Sequence, residues 1–433
     1  MKRTELLAPA GTLENLRYAI AYGADAVYAG MPRYSLRVRN NDFHKLHNLA
    51  AGIEAAHAAG KSFFLASNVL PHNAKIRTFL ADMEPVIEMG PDALIMADPG
   101  LILLVRERWP EMPVHLSVQA NTMNYASVRF WKGQGIRRII LSRELSLEQI
   151  GEIRQHCPDI ELEVFVHGAL CIAYSGRCLL SGYFNHRDAN QGTCTNSCRW
   201  KYRLRSAGED DNGDICATGG DAEGNTHPVY LLEEGERPGE LMPVEEDEHG
   251  TYIMNSRDLR ALQHVERLVS LGVDSLKIEG RTKSHYYVAR TTQVYRQAID
   301  DAHAGRPFDA RLLGALENLS NRGYTDGFLQ RHPDQEYQNY LASCSTSVRQ
   351  RFVGRLTGYD PLRGLACVDV RNKFAIGDEL ELILPAGNRT FRLQALLDMD
   401  GNPMTEAPGG GYQVQIPLPE PALDMGLLAR NLR

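Results

Sequence analysis

No run of eighteen apolar residues occurs in this 433-residue chain, and its opening, MKRTELLAPAGTLENLRYAIAYGADAVYAG, lacks the continuous apolar core of a secretory leader. Neither a membrane helix nor export is expected, and a cytoplasmic location follows. Three missing motifs narrow the chemistry. The loop after the first strand-like segment is APAGTLEN rather than GxGxxG, which argues against a dinucleotide-binding open sheet; HExxH and GxSxG are absent too, so neither a zinc-helix protease nor a nucleophile-elbow hydrolase is expected. Cysteine is scarce, eight residues in all, and a reducing compartment argues against structural disulfides. Cys157, Cys344 and Cys367 stand singly in apolar or amphipathic stretches and read as small buried hydrophobes.

What is present is an ordinary globular composition, 43% hydrophobic and 23% charged, enough for one large domain with a smaller companion. The formal charge of −7 hides an asymmetry. Residues 208–250 hold fourteen acidic residues against one basic residue, Arg237, so the rest of the chain is mildly basic. The acidic, glycine-rich stretch GEDDNGD reads as a solvated loop.

Along the first 165 residues, short aliphatic or β-branched runs alternate with amphipathic helical stretches. Strands are expected at TELLAP (4–9), ADAVYAG (24–30), KSFFLAS (61–67), ALIMA (93–97), PVHLSV (113–118), RRIILS (137–142) and LEVFVH (162–167), with an eighth at DSLKIEG (274–280). SRDLRALQHVERLVSLG before the eighth and YYVARTTQVYRQAIDDAHAG after it read as helices. Eight such units predict an α/β fold, a closed (β/α)8 TIM-like barrel over residues 1–344, with a long cysteine-containing insertion, 168–255, after strand seven. From residue 345 to 433 short alternating strands separated by YDPLRG, PAGN, DMDGNP and APGGG predict a small all-β barrel domain.

A barrel of this kind works at the C-terminal ends of its strands. Tyr28, Gly30, Asn68, Asp98, Gln119, Asn121, Ser142, Arg143, Glu144, His167, Lys277, Glu279 and Arg281 fall there. Asp98, in DPG, and Ser146, before a helix, read as helix caps. The remainder form a polar rim, and the insertion starts on that same rim.

Four cysteines crowd into the start of the insertion with the spacing C-x6-C-x15-C-x3-C, Cys171, Cys178, Cys194 and Cys198. Only the last pair has the short separation of a zinc knuckle, whereas an iron–sulfur cluster needs four thiolates and tolerates irregular spacing. A cysteine nucleophile served by His167 would use one thiol and leave the others idle. Spacing alone leaves these readings open.

The segment EVFVHGALCIAYSGRCLLS, Glu163 to Ser181, resembles the signature of the collagenase-like peptidase family, with its E-x-F, G-A-L-C, G-x-C and terminal Ser in place. ELLAPAGTLENLRYAIAYGADAVYAG, LSVQAN, SLKIEGRTKS and the β-rich tail extend the likeness over most of the chain. The resemblance is to the branch that hydroxylates carbon 5 of the wobble uridine of tRNA, drawing on prephenate rather than molecular oxygen. It implies a 4Fe-4S cluster on Cys171, Cys178, Cys194 and Cys198, with Cys216 as a substitute ligand, and tRNA as the partner.

On that reading His167 is the residue for proton transfer, with Arg143, Lys277 and Glu279 beside it as catalytic residues. The two carboxylates of prephenate call for inward-pointing cations, and Arg33, Arg37, Arg39, Arg143, Lys277 and Arg281 are the candidates. Tyr28 joins the substrate-binding set, and Asn68, Gln119 and Asn121 are placed to read the uracil edge. Arg199, Lys201, Arg203 and Arg205, interleaved with Trp200 and Tyr202, suit an RNA backbone with stacked bases or an exposed strand face. Two alternatives stand beside this reading: a metal-dependent peptidase using His167 and Glu279, and a non-catalytic RNA-binding factor stapled by a structural metal site.

Overall fold

The computed structural model describes residues 3–31, 33–35, 41–170, 258–319, 321, 323–330, 350–419 and 425–432, and the strand backbone at 173–174, 177–178, 202–209, 215–217, 229–234, 241–247 and 250–253. Arg37, Arg39, Cys171, Cys194, Cys198, Arg199, Trp200, Lys201 and Cys344 lie outside these residues, and Cys178, Tyr202, Arg203, Arg205 and Cys216 are described as strand backbone alone.

Eight parallel strands form the barrel: β1 Glu5–Pro9, β2 Ala26–Gly30, β3 Ser62–Ser67, β4 Ala93–Met96, β5 Val114–Leu116, β6 Arg138–Ile140, β7 Glu161–Ala169 and β8 Ser275–Ile278. They run in the order β8-β1-β2-β3-β4-β5-β6-β7, and β8 pairs with β7 as well, so the sheet closes on itself as the βα rhythm predicts. Side-chain caps start the helices that follow these strands. Thr12 accepts from the Asn15 amide at α1, Leu13–Ala21; Asp98 accepts from Leu101 at α4, Pro99–Arg108, where Pro99 supplies a preset φ. Helices α2, Leu46–Ala58, and α3, Asn73–Glu88, lack such caps and depend on their buried faces. At α6, Leu147–His156, Ser146 and Gln149 form a full capping box, and Asn124 caps α5, Tyr125–Gly133. Asp98 and Ser146 are thus caps, as their contexts suggest.

The segment after the insertion departs from expectation. SRDLRALQHVERLVSLG is not one helix: Asp258–Arg260 is a strand antiparallel to the end of β7, and only Val265–Ser270, α7, is α-helical. Pairing with the free edge of β7 at His167–Ala169 overrides the helical periodicity. The acidic segment 208–250 also carries strands where a solvated loop is expected; residues 202–253 contain a five-stranded antiparallel sheet. Its Val-Tyr-Leu-Leu and Leu-Met-Pro-Val runs pair as neighbouring strands despite the surrounding acid.

The chain divides into two compact units, residues 95–279 with 320–346 and residues 2–94 with 280–319 and 347–433. In the second unit the C-terminal residues form an antiparallel β half-barrel whose six main strands run in the order 389–392, 379–383, 427–431, 350–360, 365–370 and 413–417 around Val353, Val368, Phe374, Leu382, Ile416 and Leu428. The short terminal strand Leu427–Asn431, missed by pattern, sits near the middle of that order. Helix α8, His285–His303, has fourteen buried residues of nineteen because this module covers one of its faces. Tyr286 stacks on Phe352 at 4.8 Å, Arg290 donates to Glu381 at 2.7 Å, and Gln293 donates to the Leu384 carbonyl at 2.8 Å.

Candidate functional site

In a strand, alternate residues share a face, so Glu161, Glu163, Phe165 and His167 of β7 form one column in the unit of residues 95–279 and 320–346. Register supplies the neighbours: Arg138 of β6 lies beside Glu161, Lys277 of β8 beside Phe165, and Arg260 beside His167. The lower part of the column is ionised and dry. Glu163, 0% exposed, accepts from Lys277 Nζ at 2.8 Å and from Arg138 Nη1 at 3.2 Å; Arg138 also pairs with Glu161 at 3.0 Å. Desolvating such a set is tolerable because each charge meets an opposite one. His115 of β5 is paired in register with Arg138, and burial, then repulsion by Arg138 and Lys277, holds its pKa well below 6.5.

Higher in the column the acids give way to rings. Arg143, three residues past β6, lays its guanidinium 4.0 Å from the centre of the Phe165 ring and donates to the Ala169 carbonyl at 2.8 Å. Lys277 Nζ lies 5.3 Å from the same ring. His167, 1% exposed, faces Tyr324 with ring centres 5.5 Å apart, and Arg260 lies over Tyr324 at 4.6 Å. At the top of β7 the Glu279 amide donates to the His167 carbonyl at 2.8 Å. Gly168, at φ +106°, makes that approach available, since a Cβ there would stand 2.6 Å from the Glu279 carbonyl oxygen. After β5, Asn121 adopts the left-handed conformation (φ 52°), donates to the Gln119 carbonyl at 3.3 Å, and keeps a buried Oδ1 that receives no donor among the described residues. Gln119 meets the Ser117 hydroxyl.

Other expected site residues belong to the unit of residues 2–94, 280–319 and 347–433. Arg281, 8% exposed, donates to Ser35 Oγ at 2.6 Å and lies 5.9 Å from the Tyr28 ring; the bare Cα of Gly30 leaves room for it, since a Cβ there would meet its Nη1 at 2.2 Å. Asn68 is buried at the end of β3. Arg33 is engaged by Asp82 at 2.9 Å.

Sequence reasoning thus names His167, Arg143, Lys277 and Glu279 of the β7 and β8 column but misses Glu163, Arg138, His115, Arg260 and Tyr324. Period two along LEVFVH could have shown Glu163, Phe165 and His167 on one face. Among the described residues no group of three His, Cys, Asp or Glu is gathered as metal ligands.

A closed parallel barrel with an ionised floor and a ring-and-guanidinium layer above it defines a TIM-like barrel protein with its chemistry on the β7 and β8 side. The chain belongs to peptidase family U32: the family model matches residues 11–339 and the model of the U32 C-terminal domain matches residues 348–430. It is 60% identical to tRNA hydroxylation protein P of Escherichia coli, over 100% of this chain and 97% of that protein, and 56% identical to tRNA hydroxylation protein P of Haemophilus influenzae, over 99% and 96%. It is also 32% identical to a 23S rRNA 5-hydroxycytidine synthase of E. coli, over 76% of this chain and 45% of that protein.

Proposed function

We propose that this protein is a cytoplasmic enzyme that hydroxylates carbon 5 of the wobble uridine of tRNA, drawing on prephenate, with a 4Fe-4S cluster on Cys171, Cys178, Cys194 and Cys198. The observation that carries the RNA-hydroxylating activity is the 60% identity over the whole chain to a protein named for tRNA hydroxylation. Four thiols within twenty-eight positions are the donor set a 4Fe-4S cluster takes. Bound there, the cluster would supply one-electron chemistry at the start of the insertion.

The chain's own residues have separable roles in this reading. His167, fixed by Tyr324 and by its strand position, moves the proton at carbon 5. Lys277 and Arg138 keep Glu163 ionised and the floor rigid. Asn121 Oδ1 suits the N3–H of uracil, while its amide group stays on the Gln119 carbonyl. A family name drawn from peptidases does not bring a second engine with it, since HExxH and GxSxG are absent.

Nucleoside analysis of tRNA from cells lacking the protein tests the activity: 5-hydroxyuridine derivatives should disappear and return with the intact gene, and their persistence would defeat the claim. Anaerobic purification tests the cofactor, with bound iron and sulfide expected; stoichiometric zinc would remove the cluster. In the purified system, turnover should require prephenate and proceed without oxygen.

A further inference from the structure

The upper column holds two guanidinium groups in the same pose. Arg143 lies on Phe165 at 4.0 Å and Arg260 lies on Tyr324 at 4.6 Å, and Tyr324 in turn faces His167. Phe165 and His167 are two residues apart on β7, an advance of about 7 Å along a strand, on the scale of a small diacid. Below them the other cations are already matched, Lys277 with Glu163 and Arg138 with Glu163 and Glu161. Arg143 is different. Among the described residues it meets no carboxylate; its one hydrogen bond goes to a carbonyl, and its buried Nε has no acceptor. A planar guanidinium held against a ring keeps its N–H edge fixed, the geometry that grips a carboxylate through two parallel hydrogen bonds.

We propose that Arg143 and Arg260 form a two-guanidinium clamp for a small dicarboxylic acid, one carboxylate on each, with Phe165 and Tyr324 as the plates that hold the guanidinium planes. Nothing in the family likeness singles out Arg260; its register beside His167 does. The diacid class rests on the hydroxylase reading above, and the clamp places that co-substrate against His167.

Equilibrium binding to the full-length, cluster-loaded protein tests this with prephenate, succinate, the monocarboxylate phenylpyruvate and inorganic phosphate as probes. Wild type should bind prephenate at least about 10-fold more tightly than phenylpyruvate, and Arg143→Gln or Arg260→Gln should each weaken prephenate by about 10–100-fold and erase that preference. Arg143→Lys and Arg260→Lys, which keep the charge but lose the fork, should fall between, and they carry the test if the Gln variants do not fold. Iron content and thermal midpoint serve as controls. Unchanged prephenate binding in both Gln variants would overturn the clamp, as would a wild type that binds none of the three acids. So would variants that lose tRNA or phosphate binding while retaining prephenate, because the arginines would then serve the nucleic-acid backbone. A wild type that binds succinate through both arginines but ignores prephenate would uphold the clamp and defeat only the choice of co-substrate.

Discussion

Glu163 balances two cations with one carboxylate, and its loss would leave both uncompensated away from water. Glu163→Gln is expected to cost about 3–5 kcal/mol of folding stability, read from the urea midpoint at constant slope, and Glu163→Gln with Lys277→Met should recover part of that. Strict additivity of the two changes would mean the pair is uncoupled. Protons make a second prediction. Burial holds His115, and more mildly His285, below the ordinary histidine pKa of 6.5. Beneath that value the unfolded chain takes up protons that the folded chain refuses, so stability is full above it and falls with acidification, by about 1.4 kcal/mol per pH unit for each withheld proton. The thermal midpoint should therefore drop more steeply between about pH 7 and about pH 5 in wild type than in His115→Gln; equal slopes would clear His115 of any part in it. At this scale the sequence was half legible. Alternation along LEVFVH places Glu163, Phe165 and His167 on one face, but the cations that meet Glu163 come from 25 and 114 residues away, a register that no local pattern fixes.

The strands were the most legible elements, because runs such as SFFLAS and ALIM are apolar on both faces and bounded by turns, as buried parallel strands are. The element that escaped notice, Asp258–Arg260, owes its form to an edge: β7 runs past the barrel to Ala169 and offers a row of unpaired backbone groups that this segment satisfies. Gly168 stands at that junction. Gly168→Ala would combine a strained backbone with a Cβ 2.6 Å from the Glu279 carbonyl, and should cost more than about 1 kcal/mol while loosening the end of β8. Hydrogen exchange at the Glu279 amide, which donates to His167, should quicken in this variant. Unaltered exchange would show that β8 does not depend on the bare Cα.

Between the scale of elements and that of the chain, the unit of residues 2–94, 280–319 and 347–433 is stitched from both ends of the sequence. The Tyr22 hydroxyl lies 2.9 Å from the carbonyls of both Ile383 and Met425, and Glu14 of α1 pairs with Arg355. Tyr22→Phe should lower stability by about 1–2 kcal/mol, since two buried carbonyls lose their donor; an unchanged denaturation midpoint would mean the half-barrel is held to α1 by packing alone. This joining has a consequence for biosynthesis. The ribosome releases the segment up to residue 94 first and the half-barrel last, so Tyr22 and Glu14 wait on the order of half a minute for their partners at usual elongation rates. Through that interval the apolar faces of the early helices are nascent-chain surface, exposed to whatever chaperone stands at the exit tunnel.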